Sequence, residues 1–415
     1  PWISDVSVSQ IRKDEEGIYW ISTLNNGILR IPNIHINYLG HNRLCKGIER
    51  LDNDIHVLTS EEIVNLSTGR SVPLNNVTAP TEAWFLPTKN EWFVNGKSLH
   101  RIGTKNAAAT QTFGSVKDVL EIGDTVFIAS NLGLWMLDQN QSPQLLKGGR
   151  AYALATFKNK LLIGFDNGLF QADLSSDNWN FKQIGPSIYV SAIEFVDERT
   201  FVASKGNGVF ELNGNQLTEI PVPTGFSNVA FLHATNGYLF AVGDDGLLRL
   251  DLKSVELEII DRTDGLPTTD ILGINSVDTT LYLATTKGVF SFPINIQATN
   301  LQWPSIGLRV GDGKGWITTT TNSFDHHQNT FIFQFTTNAT RHQGKLIYRY
   351  RMNGLGSSDW METDFRSSSA SFVNMSPGQY EFEVIAINED GIPSQTSKRY
   401  SFTIQPSFWQ TWWFK

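Results

Sequence analysis

A strand–turn–strand pattern recurs through the first seven-tenths of this 415-residue chain, and it constrains the fold more than any other feature. Each copy has a short apolar strand, a few small or polar residues, a glycine, and two or three more apolar residues. The glycines of the clearest copies are spaced 35, 40, 38 and 42 residues apart; they are Gly133, Gly168, Gly208, Gly246 and Gly288. A repeat of roughly 35–45 residues with several strands per unit is typical of β-propeller blades.

Three further copies lie upstream and leave two blade counts open. A clear copy spans residues 18–23 and leads to Gly27, and weaker copies lie around residues 55–58 and 92–94. The eight copies predict either eight blades or seven. In the seven-bladed arrangement, which we favour, residues 1–34 are the last hairpin of an upstream propeller or a closing blade, and residues 35–298 form the β-propeller.

The pattern changes near residue 300 to strands in which apolar and polar residues alternate. Phe331, Phe333 and Phe335 fall on one face of a strand, and residues 346–352 alternate apolar and aromatic side chains with arginines. Alternation of this kind predicts strands with one buried and one solvated face. About 100 residues of such strands predict an Ig-like or fibronectin-like β-sandwich over residues 299–405. The whole chain is therefore predicted to be all-β.

Composition excludes several classes of function. The chain has a net charge of −8 and no basic cluster, which argues against nucleic acid as a partner. Cys45 is the only cysteine, so an intrachain disulfide and a cysteine-based zinc site are impossible. No cofactor is predicted.

Two segments carry a resemblance to a known propeller family. Residues 6–23 resemble the two-component regulator propeller repeat, with its acidic turn, glycine and tryptophan. Residues 264–274, which begin Asp-Gly-Leu-Pro, resemble the segment that opens a blade in that family, although Thr269 stands where asparagine is usual.

The second domain resembles the Y_Y_Y domain. The resemblance rests on residues 348–354, on Trp360, and on residues 377–391, in that order. Y_Y_Y domains follow regulator propellers in membrane sensor kinases and hybrid two-component proteins. The resemblance therefore implies the periplasmic sensor region of a bacterial two-component receptor, with a membrane helix beyond the sandwich.

The C-terminal segment, residues 406–415, is rich in aromatic residues. Tryptophan favours the headgroup zone of a bilayer, where both its apolar ring and its N–H are satisfied. The Y_Y_Y family has a similar run immediately before its transmembrane helix, so we expect a membrane-proximal output segment formed by Pro406, Phe408, Trp409, Trp412, Trp413 and Phe414. The alternatives are an aromatic patch packed back on the sandwich, or a final strand.

The chain is expected to be a fragment of a longer protein. It has no apolar run of the roughly 18–20 residues that a membrane span needs, and no signal peptide. It begins at Pro1 inside strand-like sequence and stops at Lys415, directly after the aromatic run.

Few residues suggest catalysis or metal binding. The acids at 14–16 and at Glu61 and Glu62 are paired as in glycosidases, but they are predicted to lie in hairpin turns. Asp14, Gly17 and Trp20 loosely resemble the Asp-box, which is a structural turn. Residues 311–315 lack the length and the hydroxyl residue of a phosphate loop.

Two further groups of side chains have the composition of binding sites. Asp325, His326 and His327 contain metal-ligand types, but adjacent histidines on a strand would point to opposite faces, so a solvated loop is favoured and no metal is predicted. Four tryptophans could form a stacking platform for sugars, although packing between blades is the favoured role: Trp84, Trp92, Trp135 and Trp179.

The functional prediction is a periplasmic module of an inner-membrane receptor that binds a nutrient and transmits a signal. The family resemblance implies a small-molecule or oligosaccharide ligand and a homodimer formed through the sandwich. The rival interpretations are a secreted propeller glycoside hydrolase or lyase, and an adhesion or scaffold propeller.

Overall fold

The computed structural model describes residues 6–14, 17–40, 44–103, 108–109, 113–138, 142–176, 178–296, 305–317, 322–337, 346–356, 359–387, 393–394, 396–410 and 413–414. These residues form two units, one containing residues 33–298 and the other containing residues 8–32 and 299–415. Each unit is described separately.

A three-stranded antiparallel sheet lies at the start of the chain. Its strands are β1 (Val8–Lys13), β2 (Tyr19–Thr23) and β3 (Ile28–Ile31). The register between β1 and β2 shifts at Ser9, so β1 carries a bulge. The same kind of bulge recurs in the first strand of four propeller sheets.

Seven four-stranded sheets follow within residues 37–293. The first two contain β5 (Gly47–Leu51), β6 (Asp54–Leu58), β7 (Glu62–Asn65) and β8 (Ser71–Pro73), then β9 (Glu82–Leu86), β10 (Glu91–Asn95), β11 (Leu99–Ile102) and β12 (Ala108–Ala109). The third and fourth contain β13 (Val116–Ile122), β14 (Thr125–Ser130), β15 (Gly133–Leu137) and β16 (Pro143–Gly148), then β17 (Ala151–Phe157), β18 (Lys160–Phe165), β19 (Gly168–Asp173) and β20 (Lys182–Ile184).

The remaining three sheets have the same up-and-down order. The fifth and sixth contain β21 (Val190–Val196), β22 (Arg199–Ser204), β23 (Gly208–Asn213) and β24 (Gln216–Ile220), then β25 (Phe231–Thr235), β26 (Tyr238–Gly243), β27 (Gly246–Asp251) and β28 (Leu257–Ile260). The seventh contains β29 (Ile271–Val277), β30 (Thr280–Thr285), β31 (Gly288–Pro293) and, as its outer strand, β4 (Asn37–Tyr38).

The seven sheets form a closed ring. The first strand of each sheet contacts the first strand of the next, and β29 of the seventh sheet contacts β5 of the first. The ring is closed by β4, whose Asn37 and Tyr38 pair with Ser291 and Phe290 of β31. Because β4 comes from the N-terminal side of the ring, the last sheet is built from both ends of the domain. The structure therefore has seven blades, as the favoured count predicted.

The repeating glycines act as the sequence predicts. They begin the third strands of five blades, with φ between 78° and 151°. At Gly133 a Cβ would lie 2.4 Å from the carbonyl oxygen of Lys147, so a side chain is excluded by contact as well as by backbone angle. A buried hydroxyl before the turn fixes its geometry in several blades, as where Thr285 Oγ1 donates to Gly288 O at 2.8 Å and accepts from Lys287 N at 3.1 Å.

The sandwich consists of two sheets that face each other across an aromatic core. One sheet has the order β32 (Ile306–Gly311), β34 (Phe331–Thr337), β37 (Ser369–Phe372). The other has the order β33 (Ser323–Phe324), β39 (Lys398–Ile404), β38 (Gly378–Ile387), β35 (Ile347–Asn353), β36 (Met361–Asp364). Short 3-10 turns lie at Thr224–Phe226 in the propeller and at Phe365–Ser367 and Phe408–Gln410 beside the sandwich strands.

The phenylalanine face of β34 forms the centre of the sandwich. Phe331, Phe333 and Phe335 are each fully buried, and Phe333 stacks on Phe382 with ring centroids 4.0 Å apart. At the edge of the core the hydroxyl of Tyr380 donates to Ser376 O at 2.7 Å, which resembles the tyrosine corner of immunoglobulin domains. The predicted Ig-like sandwich is confirmed.

Candidate functional site

The inner strands of the propeller are joined by half-buried carboxylates. The carboxylate of Asp118 on β13 accepts hydrogen bonds from Val119 N at 2.8 Å and from Leu154 N of β17 at 2.7 Å. In the same way Glu194 on β21 accepts from Ala234 N of β25 at 3.0 Å. The first strand of a blade has a free edge toward its neighbour, so an acid from one blade satisfies an amide of the next. These acids therefore link blades that share no backbone pairing.

Four carboxyls on the inner strands have raised pKa values. Burial raises the pKa of Glu49 to about 8, of Glu82 to about 7, of Asp118 to about 7 and of Glu194 to about 7. The charge of Asp118 adds to the pKa rise at each of the other three. Since burial and like charge both disfavour ionisation, the ring of inner strands holds several carboxyls that titrate near neutral pH.

A second group of side chains lies near the start of inner strands, where Lys205, which follows β22, donates its backbone N–H to Tyr189 O at 3.0 Å. We call this group the channel mouth: Glu82, Lys117, Tyr152, Tyr189 and Lys205. The rings of Tyr152 and Tyr189 are 4.5 Å apart, and Lys205 Nζ lies 5.3 Å from the centre of the Tyr189 ring. The charges of Lys117 and Lys205 both lower the pKa of Glu82, so lysines from two different blades act electrostatically on this carboxyl. Aromatic faces beside mixed charges and hydroxyls suit a polyhydroxylated ligand.

Bulges help to aim the residues of the channel mouth. The register of the first strand shifts at Lys117 in β13, at Tyr152 in β17 and at Ser191 in β21. A bulge inserts an extra residue and re-aims its side chain, and bulges are common beside binding sites. Lys117 and Tyr152 are both bulge residues.

A polar cluster on other inner strands joins three blades. His233 Nε2 lies 2.8 Å from Ser276 Oγ, and Arg50 Nη1 donates to Ser276 O at 3.2 Å. Burial, together with the charge of Arg50, lowers the pKa of His233 to about 4. His233 is therefore neutral at physiological pH and serves as a hydrogen-bonding link.

The paired acids singled out from the sequence have structural roles. The carboxylate of Asp14 accepts from Ile18 N at 2.9 Å and from Trp20 Nε1 at 2.7 Å, which closes the hairpin between β1 and β2. Glu61 and Glu62 belong to the turn that Thr59 organises between β6 and β7. Glu15 and Glu16 lie outside the described residues.

The four tryptophans of the possible sugar platform pack inside or between blades. Trp92 is buried and contacts Phe85 at 5.1 Å between ring centroids, while Trp135 contacts Phe113 at 5.5 Å and Trp179 contacts Phe127 at 5.5 Å. Trp84 packs partly buried against the same core as Trp135. In the structure these tryptophans therefore pack against other apolar side chains, which is the role that the sequence favoured.

The adjacent histidines do not lie on a strand, so strand alternation does not separate their side chains. β33 ends at Phe324, and His326 and His327 lie in a turn instead of a strand. The potential ligand atoms of Asp325, His326 and His327 lie within 4.8 Å of one another, so the side chains converge instead of pointing to opposite faces. The neighbouring segment 311–315 is a turn in which Asp312 Oδ1 accepts from Lys314 N and Gly315 N at 3.1 Å each.

The solvated face of the sandwich carries a buried acid between two arginines. Glu383 is 3% exposed; it accepts from Arg351 Nε at 2.8 Å and from Arg399 Nε at 2.8 Å. Arg351 also lies over the ring of Trp360 at 4.7 Å. Burial alone would raise the pKa of Glu383, but hydrogen bonds from Ser397 and the two arginines outweigh it, and the pKa lies below its ordinary value.

The C-terminal aromatic residues are exposed. Four of them have more than half of their surface accessible: Phe408, Trp409, Trp413 and Phe414. The ring centroid of Phe408 lies 5.3 Å from that of Trp413 and 5.1 Å from that of Phe414. Pro406 is also exposed, and Trp412 lies outside the described residues. We call residues 406–414 the exit segment. Among the described residues, no helix has the length and apolarity needed to cross a membrane.

Sequence reasoning missed the inner-strand acids. The available signal was an acid inside an otherwise apolar first strand of a repeat, as at Asp118 in Val-Lys-Asp-Val-Leu and Glu194 in Ala-Ile-Glu-Phe-Val. The turn glycines lie in the second hairpin of each blade, so their spacing carries no information about the first strands.

Comparisons with known proteins match both regions. Residues 341–405 match the Y_Y_Y domain family. A curated relative, histidine kinase P4 of Formosa agariphila, is 23% identical over 370 residues, which is 82% of this chain and 26% of the kinase. The chain thus spans about a quarter of the length of that relative.

Solved structures share the fold along nearly the whole chain. The extracellular domain of the putative hybrid two-component system BT3049 from B. thetaiotaomicron matches with a TM-score of 0.75 at 16% identity, covering 97% of this chain and 62% of that one. The extracellular domain of the putative one-component system BT4673 from the same organism matches with a TM-score of 0.51 at 14% identity, covering 95% and 62%. The predicted resemblance to the sensor region of two-component receptors is confirmed by the domain match, the structural match and the kinase relative.

Proposed function

We propose that this chain is the extracytoplasmic sensor region of a membrane-bound two-component receptor, and that it has no catalytic role itself. One observation carries the proposal: the extracellular domain of a putative hybrid two-component system matches 97% of the chain. The curated relative, a histidine kinase, supports the same interpretation for the longer protein.

The channel mouth is the proposed ligand site. It offers the paired rings of Tyr152 and Tyr189 for stacking, and Glu82, Lys117 and Lys205 as hydrogen-bond partners for hydroxyl groups. These side chains are partly exposed, so a ligand reaches them without unfolding a blade. An oligosaccharide or another polyhydroxylated nutrient fits this chemistry.

The sandwich is the proposed transmitting element, and the exit segment is its membrane edge. Exposed aromatic residues at Phe408, Trp409, Trp413 and Phe414 would lie in the headgroup zone of the inner membrane, on its periplasmic side. A homodimer formed through the sandwich would let a ligand bias the geometry of two adjacent membrane helices. Transmission of this kind requires two states that bind the ligand unequally.

Calorimetric titration of the chain with a panel of oligosaccharides tests the ligand site, with product analysis of every sample. We expect saturable binding without cleavage, weakened at least tenfold, or about 1.4 kcal/mol, by Tyr189→Ala and by Lys205→Ala. Lys253→Ala, at an exposed position beyond β27, is the matched control and should leave the affinity unchanged. Release of shorter sugars would instead establish a hydrolase or lyase, and capture of proteins but no sugar would favour a scaffold.

Vesicle flotation tests the exit segment separately. The chain should float with vesicles of phosphatidylethanolamine and phosphatidylglycerol, and the double variant W409A/W413A should float less. Trp316→Ala is the control, because Trp316 is also exposed, at 50% against 58% for Trp409, but lies between sandwich strands. Equal flotation of all three proteins would contradict membrane contact by the exit segment. Light scattering of the same preparations tests the dimer.

A further inference from the structure

The turn that follows β33 is fixed to the last strand of the sandwich. β33 pairs in parallel with β39 through Ser323 with Thr403 and Phe324 with Ile404. Gln405 extends this contact, because its backbone N–H donates to Phe324 O at 2.8 Å and its side chain donates to Ser323 Oγ at 2.9 Å. Residues 325–328, which we call the histidine turn, therefore start beside the strand that leads into the exit segment.

The histidine turn is held closed by its own hydrogen bonds. Gln328 N donates to Asp325 O at 2.8 Å, and Asp325 N donates to the side-chain oxygen of Gln328 at 3.3 Å. The side-chain amide of Gln328 also donates to Asp312 Oδ2 at 3.2 Å, which ties the turn to a second loop. The side chains of the turn are thus presented from a backbone that is ordered before any ligand arrives.

Three potential ligands converge on this turn. Asp325 Oδ1 lies 2.5 Å from His326 Nδ1, and the rings of His326 and His327 are 3.7 Å apart. All three ligand atoms lie within 4.8 Å of one another. Ligands of a tetrahedral zinc ion, at about 2.0–2.2 Å from the metal, lie roughly 3.3 Å from each other, so the present separations have to shorten by at most about 1.5 Å to hold the ion.

A second observation is that His326 keeps an unused nitrogen. Its Nε2 is buried and has no hydrogen-bond partner among the described residues. The ring also packs edge-on against Trp409 of the exit segment, with centroids 5.7 Å apart. A buried polar nitrogen without a partner is rare in a folded protein and calls for one.

We propose that Asp325, His326 and His327 bind a divalent transition-metal ion such as Zn²⁺, and that the bound ion holds the histidine turn against Trp409. Two imidazoles and one carboxylate are the donor set of zinc and its neighbours in the first transition row. Ca²⁺ and Mg²⁺ prefer sites made only of oxygen donors and would bind this donor set poorly. Three protein donors leave at least one position of the metal for water. The metal site and the channel mouth share no residue, so the test of metal binding does not depend on the proposed ligand site.

Zinc titration of the untagged chain by calorimetry tests the site. We expect one Zn²⁺ per chain and no response to Mg²⁺. His326→Ala and His327→Ala should each lower the affinity at least tenfold. The control is His35→Ala, at an exposed histidine in the other unit, which should leave the affinity unchanged. Circular dichroism melting of each variant confirms that it is folded.

Quenching by Cu²⁺ locates the metal relative to Trp409. Copper bound at the histidine turn should quench part of the tryptophan fluorescence, and Trp409→Phe should remove most of the quenched part while leaving the Zn²⁺ affinity within twofold. Absence of saturable Zn²⁺ binding, or binding that survives the double variant H326A/H327A, would overturn the proposal. Quenching that is unchanged in Trp409→Phe would overturn the contact with the exit segment.

Discussion

The propeller and the sandwich bury acidic side chains in opposite ways. In the propeller, Glu49, Glu82, Asp118 and Glu194 lie on inner strands with raised pKa values, and no arginine is bonded to any of them among the described residues. In the sandwich, Glu383 lies between Arg351 and Arg399 and its pKa is lowered. One region favours the neutral acid, and the other favours the ion.

This difference follows from how the two regions are built. The sandwich has one continuous aromatic core, and its acid lies on the outer face, where cross-strand partners of opposite charge pair with it at Arg351 and Arg399. The propeller has several smaller cores between blades, and its inner strands have free edges that acids must satisfy. A structural acid is therefore stable as an ion in the sandwich, while ionisation weakens the ring. The ring is thus the region whose stability falls when its acids ionise.

Removing the central ring of the sandwich should have the largest effect. Phe333→Ala deletes a fully buried side chain that stacks on Phe382, and such deletions cost about 3–5 kcal/mol. We expect this loss in the free energy of unfolding of the sandwich alone, measured by urea denaturation with hydrogen exchange of peptides from each region. Ile332→Ala, at a half-buried position on the opposite face of β34, should cost much less. Equal losses in both regions would show that they unfold as one.

Breaking the arginine pair of Glu383 should have the next largest effect. Glu383→Gln leaves Arg351 and Arg399 facing each other without the charge between them, and we expect a loss of about 2 kcal/mol in the sandwich. The matched control is Glu362→Gln, because Glu362 pairs with Arg349 at the surface, where a pair is worth about 0–1 kcal/mol. Similar losses in the two variants would mean that burial of Glu383 adds nothing.

The pH dependence of Glu383 has a defined sign. Its pKa is lowered by folding, so the stabilisation is present above the ordinary pKa of 4.5 and is lost as the pH falls through the lower folded value. The sandwich should therefore keep its stability between pH 5 and 8 and lose part of it in more acidic buffer. A flat profile in Glu383→Gln would assign the loss to this residue.

The propeller should respond to pH in the opposite direction. Folding raises the pKa of Glu49 from 4.5 to about 8, so stabilisation is full below pH 4.5 and is lost as the pH rises through 8. Glu49→Gln removes the ionisation and should stabilise the propeller at pH 8 by about 1 kcal/mol, since partial exposure limits the effect, with little change at pH 5. Glu219→Gln, on the exposed outer strand β24, should be neutral at both values. Destabilisation by Glu49→Gln at pH 8 would mean that the ionised Glu49 carboxylate stabilises the propeller, which contradicts this prediction.

The smallest effect is expected at the tyrosine corner. Tyr380→Phe removes only the hydroxyl that donates to Ser376 O, and one such hydrogen bond is worth about 1 kcal/mol. The loss should appear in the sandwich and not in the propeller. Tyr348→Phe is a suitable comparison, because Tyr348 is also buried in the sandwich core. No loss at Tyr380 would show that water replaces the bond without cost.

Much of the fold could be predicted from the sequence because its signals are periodic. The turn glycines gave the blade period, and the alternation at Phe331, Phe333 and Phe335 gave the buried face of β34. Ring closure by β4 could not be read from the pattern, since two paired residues carry no periodic signal.

The residues of the proposed site were harder to predict because they depend on interactions between distant segments. Asp118 accepts a hydrogen bond from Leu154 of the next blade, and the charges of Lys117 and Lys205 act on Glu82 from different blades. The convergence of the histidine side chains could not be predicted for a local reason: only a strand would separate them, and the chain turns directly after Phe324. The exit segment could be named from composition alone, because five aromatic residues fall within its last seven positions.

Hydrogen exchange of the chain with and without an oligosaccharide that binds it tests the central claim most directly. The account predicts slower exchange in the inner strands β9, β13, β17 and β21 around the channel mouth, a change in the last strand β39, and no cleavage of the sugar. Slower exchange confined to the sandwich, or release of sugar fragments during the experiment, would contradict a sensor that binds its ligand in the propeller and transmits through the sandwich.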